Sequence, residues 1–254
     1  MHEHHLGLRN TAIDRIAHPA DRHLAGDVMP ATPTPRIAVF DMDGTLLDSL
    51  PDLAASADRL LTGYGLPGIS PDLVRGMVGD GVAALVRRLL AHAGTPAAGI
   101  DVQQAVDRYM ADYTPRATEQ SRPFPGTEYA LKTLRDAGWT LAICTNKPVA
   151  AARRIVSELG LTEWFDAIGG GDSFPVRKPD PAHLLGTIGL AHGHADRAIM
   201  VGDHHNDIFA AKGAHVRSVF ARWGYGRPDM EAGATIGADS MTEIPHIAGQ
   251  LIPA

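Results

Sequence analysis

Asp41 and Asp43 stand two residues apart in Asp41-Met42-Asp43-Gly44-Thr45, directly after the apolar run Ile37-Ala38-Val39-Phe40. Two carboxylates at the end of a buried strand cannot both enter a core without a large desolvation cost. A divalent cation would offset that cost and hold the carboxylates close to a phosphate. A polar turn built on the Asp43-Gly44 step is the plainer reading of the pentapeptide taken alone, so its context must decide.

Three further segments supply that context. Thr145 follows the apolar run Leu141-Ala142-Ile143-Cys144, where its hydroxyl and nearby backbone N–H groups can donate to phosphate oxygens. Lys178, in Arg177-Lys178-Pro179-Asp180-Pro181, can neutralise charge on a phosphoryl group or on an aspartate nucleophile. Asp203 comes after Ala198-Ile199-Met200-Val201-Gly202, and Asp207 lies at the start of the next helical pattern. That pair supplies the remaining acidic positions of a Mg²⁺ site, which takes few carboxylates and keeps waters. Each residue alone has a plainer role: an N-cap for Thr145, a loop lysine for Lys178, a first-turn carboxylate for Asp207. The ordered set, with the right residue types, points to chemistry.

The elements that must position these residues are legible. Ile37 to Phe40, Leu141 to Cys144, Ala198 to Val201 and Ser218 to Ala221 are short and fully apolar, as central strands of a parallel sheet are when both faces are covered. Helical patterns run from Thr127 to Ala137, Val149 to Leu159, Pro181 to Leu190 and Asp207 to Ala214. The alternation predicts an α/β fold, a doubly wound parallel sheet with its ligand site beyond the carboxyl ends of the strands.

Between Leu53 and Arg122 only helical patterns occur. Leu53, Ala57, Leu60 and Leu61 share a face, Ser70-Pro71 reads as a helix start, and Val82, Leu85, Val86, Leu89 and Leu90 form an apolar stripe. A further stripe runs from Val102 to Tyr113. The expectation is a small α-helical cap over 53–121, inserted into a core of 36–52 and 122–254. Residues 1–35 hold five of the thirteen histidines and four of the eighteen prolines and are expected to be a flexible extension.

Composition narrows the partners. Of 254 residues 44% are apolar and 20% charged, and the net charge of −6 argues against a nucleic-acid surface. No apolar run is long enough for a membrane span. The single cysteine, Cys144, excludes an internal disulfide and fits a reducing compartment. A cytoplasmic monomer or homodimer is expected.

From about Arg36 onward the chain resembles the haloacid dehalogenase superfamily, in its phosphatase branch with a helical cap after the first motif. Asp41 to Ala54, Val78-Gly79-Asp80-Gly81, Pro125-Gly126, Thr145-Asn146-Lys147-Pro148 and Lys178-Pro179-Asp180-Pro181 are similar to bacterial phosphoglycolate phosphatases. The resemblance implies that Asp41 is the nucleophile and becomes an aspartyl-phosphate. It implies that Asp43 is first the acid and then the base, and that Thr145 and Lys178 hold the phosphoryl oxygens. Mg²⁺ would be bound by the Asp41 carboxylate, the Asp43 backbone carbonyl and Asp203, with Asp207 in support.

The same resemblance sorts among relatives. An acid at Asp43 indicates a phosphatase or phosphomutase rather than a dehalogenase. The chain has no lysine between Leu53 and Arg122, which removes the Schiff-base chemistry of the phosphonate hydrolases. Val78-Gly79-Asp80-Gly81 offers an acid and no base where a mutase would hold its second phosphate. The expected substrate is a small phosphorylated metabolite, 2-phosphoglycolate first. A sugar-phosphate or other small-molecule phosphatase, a β-phosphoglucomutase-like mutase and a non-enzymatic binding protein are the alternatives. Arg75, Arg87, Arg88 and Arg116 are candidates for a substrate carboxylate. His204, where the similar phosphatases usually carry a small polar residue, and His205 after it read as exposed loop residues, with a metal ligand as the alternative.

Overall fold

Six short strands, all parallel, carry the site. A computed structural model describes residues 34–254, so the extension expected over 1–35 falls almost wholly outside the described residues. The strands are β1 (Arg36–Phe40), β4 (Trp139–Cys144), β5 (Ala167–Gly169), β6 (Ala198–Gly202), β7 (Arg217–Ala221) and β8 (Ile236–Ala238). Their order is β5-β4-β1-β6-β7-β8. The chain winds outward from β1 through β4 to β5, then returns to β6 on the other side of β1 and winds the opposite way. That reversal is where a doubly wound sheet opens a crevice at its carboxyl edge.

Register brings the chemistry to this crevice. Phe40 pairs with Ile143 on one side and with Val201 on the other. Asp41 therefore stands level with the ends of β4 and β6, beside Thr145 and Asp203. Side chains alternate across the sheet, and the alternation separates two cores. Ala38, Phe40, Leu141, Ile143, Ile199 and Val201 belong to one buried cluster. Ile37, Val39, Ala142, Cys144, Ala198 and Met200 belong to the other.

Helices cover both faces. The first cluster takes Leu131 and Leu134 of α5 (Thr127–Asp136), Ile155 of α6 (Val149–Glu158) and Ile244 of α9 (Ile244–Leu251). The second takes Leu184 and Ile188 of α7 (Pro181–Leu190) and Ala210 of α8 (His205–Gly213). Asp180 starts α7, with its side chain accepting from the Ala182 N–H at 2.9 Å and a proline in the first turn. Leu131 is fully buried, and its truncation to alanine is expected to cost about 2–5 kcal/mol. The edge strands β5 and β8 are absent from the sequence expectations because three residues carry no readable period. α9 is absent too, although Ile244, Ile247 and Ala248 form a buried stripe that could have announced it.

A two-stranded antiparallel ribbon, β2 (Leu47–Asp48) with β3 (Arg122–Pro123), marks where the chain leaves the sheet and returns. Between its strands lie α1 (Leu50–Gly63), α2 (Pro71–Arg75), α3 (Val82–Ala93) and α4 (Val102–Tyr113). α1 begins at Leu50, ahead of the expected Leu53. Asp52 in its first turn braces the crossing: its buried carboxylate accepts from the Gln120 N–H at 3.0 Å, the Ser121 N–H at 2.8 Å and the Ser121 hydroxyl at 2.7 Å. The apolar faces of these helices join the first core cluster, so buried hydrocarbon is continuous from sheet to helices.

Candidate active site

Asp41 ends the β1 ladder, its N–H still donating to the Val201 carbonyl at 2.9 Å. Gly44 turns the chain at φ +88°, and a Cβ there would run into the Asp203 carboxylate. The turn therefore needs glycine for its backbone conformation and for the close approach of Asp203. Thr45 follows and donates its hydroxyl to Asp203 Oδ1 at 2.8 Å, while the Tyr225 N–H donates to Oδ2 at 2.8 Å. Both Asp203 oxygens are thus aimed, and the residue is 3% exposed.

Lys178 arrives from the loop before α7 and is 2% exposed. Its Nζ lies 2.8 Å from Asp41 Oδ1, 2.6 Å from Asp207 Oδ1 and 2.5 Å from the Cys144 carbonyl. His183 Nδ1 accepts the Lys178 backbone N–H at 3.0 Å and so fixes that loop. Burial disfavours the Lys178 ammonium, yet Asp207 and Asp41 outweigh burial and hold it charged, its pKa raised above the ordinary value.

Ligand oxygens of Asp41, Asp203 and Asp207 all lie within 4.8 Å of one another, and all three residues are buried. Burial first, then Asp41 and Asp207, pushes the Asp203 carboxyl up to about 8. Burial also pushes Asp41 up to about 6, against the pull of Lys178. Three crowded carboxylates facing one ammonium leave negative charge uncompensated. An all-oxygen set of this kind fits a hard divalent cation.

His204 corrects the sequence expectation. It is a buried N-cap for α8 rather than an exposed loop residue: its Nδ1 accepts from the Asn206 N–H at 3.3 Å. Its own N–H donates to Asp207 Oδ2 at 3.0 Å, which completes a capping box with histidine in the usual serine position. Burial and the neighbouring His205 push the His204 imidazole down to about 4, leaving it neutral. His204 and His205 gather with Asp80, apart from the three carboxylates.

Asp43, on the cavity side, accepts from the Ser49 hydroxyl at 2.6 Å through Oδ1 and meets Lys147 Nζ at 3.0 Å through Oδ2. Thr145 is 2% exposed, and its Oγ1 accepts the Lys147 backbone N–H at 3.2 Å. Asp41, Asp43, Thr145 and Lys147 share the floor of one cavity, which encloses about 540 Å³ with its open mouth included. Val82, Leu85, Met110 and Tyr113 from α3 and α4, with Val78 from the loop before α3, form its walls. Asn146 and Asn206 both donate to the Gly79 carbonyl, at 3.0 and 3.3 Å, and Asn206 donates to Asp80 Oδ1 at 2.6 Å. These bonds hold the 78–81 loop over the site.

The residues expected to do chemistry or to bind metal converge: Asp41, Asp43 and Thr145 on the cavity floor, Lys178 and Asp207 beside Asp41, Asp203 across from them. Of the four candidate arginines, Arg87, Arg88 and Arg116 do not. Arg88 is tied to Asp80 and to the Met77 carbonyl, Arg116 to Asp112, and Arg87 is exposed. Arg75 lies over the Tyr225 ring and lines a smaller opening that it shares with Asp41, Asp43 and Asp203. Lys147, Asn146, Asn206 and Ser49 are absent from the sequence-based site. Asn146 and Lys147 lie within the resembling Thr145-Asn146-Lys147-Pro148 and Ser49 within Asp41 to Ala54, which is the signal that could have found them.

The family model of haloacid dehalogenase-like hydrolases matches residues 38–221. The chain belongs to that family. It is 40% identical over 197 residues to the phosphoglycolate phosphatase of Agrobacterium fabrum, covering 78% of this chain and 84% of that protein. Phosphoglycolate phosphatase 1 of Pseudomonas aeruginosa is 37% identical over 226 residues, covering 87% of this chain and 82% of that protein. Among solved structures, a predicted phosphoglycolate phosphatase from Haemophilus somnus superposes with a TM-score of 0.76 at 30% identity. That match covers 84% of this chain and 97% of the other. As a haloacid dehalogenase-like hydrolase with these relatives, the chain is a phosphatase enzyme.

Proposed function

We propose that this enzyme is a Mg²⁺-dependent hydrolase that converts 2-phosphoglycolate to glycolate and phosphate through an aspartyl-phosphate on Asp41. The observation that carries the reading is the Asp41 carboxylate held 2.8 Å from a buried lysine, with Asp43 beside it on the cavity floor.

Asp41, fixed by Lys178, attacks phosphorus. The bond from phosphorus to the ester oxygen breaks, and its electron pair leaves on that oxygen. Asp43 delivers a proton there, so glycolate departs as the alcohol. Asp43, now ionised, takes a proton from a water that attacks the aspartyl-phosphate and returns Asp41. Thr145 and the N–H groups of its loop donate to the phosphoryl oxygens, and Lys178 balances their charge, because a spread-out transition state rewards preset donors. Asp41, the Asp43 carbonyl and Asp203 would hold Mg²⁺, which supplies charge neutralisation between an anionic nucleophile and an anionic ester. Asp207 supports them by holding Lys178.

The helical segment, 53–121 by sequence and starting at Leu50 in the fold, serves in this reading as a cap that shuts out water over a small substrate. Support for two-carbon phosphate comes from the relatives named phosphoglycolate phosphatase and from a small cavity whose walls beyond Asp43 and Lys147 are mainly apolar. A panel of phosphate esters with free phosphate as readout tests it. Dominant release from 2-phosphoglycolate is expected; equal release from hexose phosphates, or phosphoryl transfer to a sugar without free phosphate, would overturn the substrate assignment.

A further inference from the structure

We propose that Lys147 is the residue that recognises the substrate's carboxylate, and that it reads the carboxylate's distance from the ester oxygen. The inference rests on the two-carbon reading above and adds to it the group that selects the substrate.

Lys147 follows Thr145 and Asn146 in the loop after β4 and is 7% exposed. Removing an ammonium from water is costly unless partners replace the water. Lys147 has two: Asp43 Oδ2 at 3.0 Å and the Tyr113 hydroxyl oxygen at 2.8 Å. An ammonium has three N–H donors. Among the described residues two are engaged, which leaves one for a ligand in the cavity that Lys147 lines.

Lys147 is also the one basic residue among the described residues lining that cavity. Lys178, below it, is committed to Asp41 and Asp207. The walls facing Lys147 are hydrocarbon and phenol, where a charge-assisted hydrogen bond is roughly twice as strong as a neutral one. A neutral group would gain little from the remaining donor, whereas a carboxylate would gain an ion pair in a water-poor site. Asp43 tolerates the competition because the Ser49 hydroxyl still holds its other oxygen at 2.6 Å.

Position sets the length of the ligand. Asp43 must reach the departing ester oxygen, and Lys147 touches the second oxygen of the same carboxylate. A ligand carboxylate separated from the ester oxygen by a single carbon falls beside Lys147. An ester with one more methylene carries its carboxylate past Lys147 toward the apolar wall. The class recognised is therefore a 2-phosphooxy carboxylate.

The test compares kcat/KM for 2-phosphoglycolate, 3-phosphooxypropionate and ethyl phosphate in wild type, Lys147→Met, Lys147→Arg, Tyr113→Phe and Arg75→Ala. Wild type should favour 2-phosphoglycolate over ethyl phosphate by on the order of a hundredfold, with 3-phosphooxypropionate between them. Lys147→Met should lose about tenfold or more on 2-phosphoglycolate beyond whatever it loses on ethyl phosphate, chiefly through KM. Lys147→Arg should recover part of the preference, Tyr113→Phe should weaken it slightly, and Arg75→Ala should keep it. Equal losses on both esters in Lys147→Met, with the wild-type preference present, would leave the two-carbon reading standing and overturn the role of Lys147. Loss of the preference in Arg75→Ala instead would overturn it too. A wild type without preference would bring down the two-carbon reading itself.

Discussion

The carboxyl edge of the sheet and the helical segment face one cavity, and they are built by opposite rules. At the sheet edge Asp41, Lys178, Asp203 and Asp207 are packed with 7% exposure or less, each aimed by at least one hydrogen bond or ion pair. Across the cavity Val78, Val82, Leu85 and Met110 offer hydrocarbon, and the polar contacts there go mainly to holding the 78–81 loop in place. The contrast teaches a division of labour. In the proposed mechanism, charge fixed at the sheet does the bond-breaking, and the helical segment controls what may approach it. Changes to Asp41, Lys178 and Asp203 should therefore fall on kcat, and changes to the groups that bind the far end of the substrate or hold the 78–81 loop on KM.

The sharpest break in that contrast would come from Asp41→Asn. Turnover should fall by about 10⁴-fold or more while circular dichroism stays native, since the proposed nucleophile is removed and the shape kept. Lys178→Met should come next, with kcat lower by roughly 10²–10³-fold. Urea unfolding should also show a loss of about 3–5 kcal/mol, because Asp41 and Asp207 would be left buried without their partner.

Proton linkage sharpens the picture of the sheet edge. In the metal-free protein Asp203 is raised to about 8 and Asp41 to about 6, against 3.8 for an ordinary aspartate. Folded-state protons are then held where the unfolded chain releases them. This contribution to stability is full below about pH 4 and is lost as pH rises through 6 and then 8. Thermal melts in chelator should fall in Tm across that window. Mg²⁺ should restore more Tm at pH 8 than at pH 5, and Asp203→Asn should flatten the upper part of the decline. A Tm independent of pH in chelator would contradict the crowding of carboxylates.

For the bonds that hold the 78–81 loop over the sheet edge the expected effect is smallest. Asn206→Ala removes the donor to Asp80 and to the Gly79 carbonyl. KM should rise by about threefold to tenfold with kcat little changed, as steady-state kinetics would show. A drop in kcat of the sheet-edge size would erase the distinction between the two sides.

The two regions also differ in how far the sequence announces them. Asp41, Thr145 and Asp203 follow apolar runs, and parallel register brings strand ends together whatever the loops do, so their convergence was readable from spacing alone. Lys178 was readable from residue type and its place before a helix. The relations between distant loops were not. Lys147 reaching Asp43, Asn146 and Asn206 sharing one carbonyl, and Tyr225 donating to Asp203 depend on how segments far apart in sequence fold over each other. His204 was misread because caps are usually short oxygen-bearing side chains, and an imidazole nitrogen does the same work here.

Rapid acid quench during turnover of 2-phosphoglycolate, followed by peptide mass spectrometry, tests the central claim most directly. The Asp41 peptide should carry one added phosphoryl group in wild type, and the adduct should be absent in Asp41→Asn. Steady turnover with that peptide unmodified at every quench time, or with the phosphoryl group on another residue, would contradict the account.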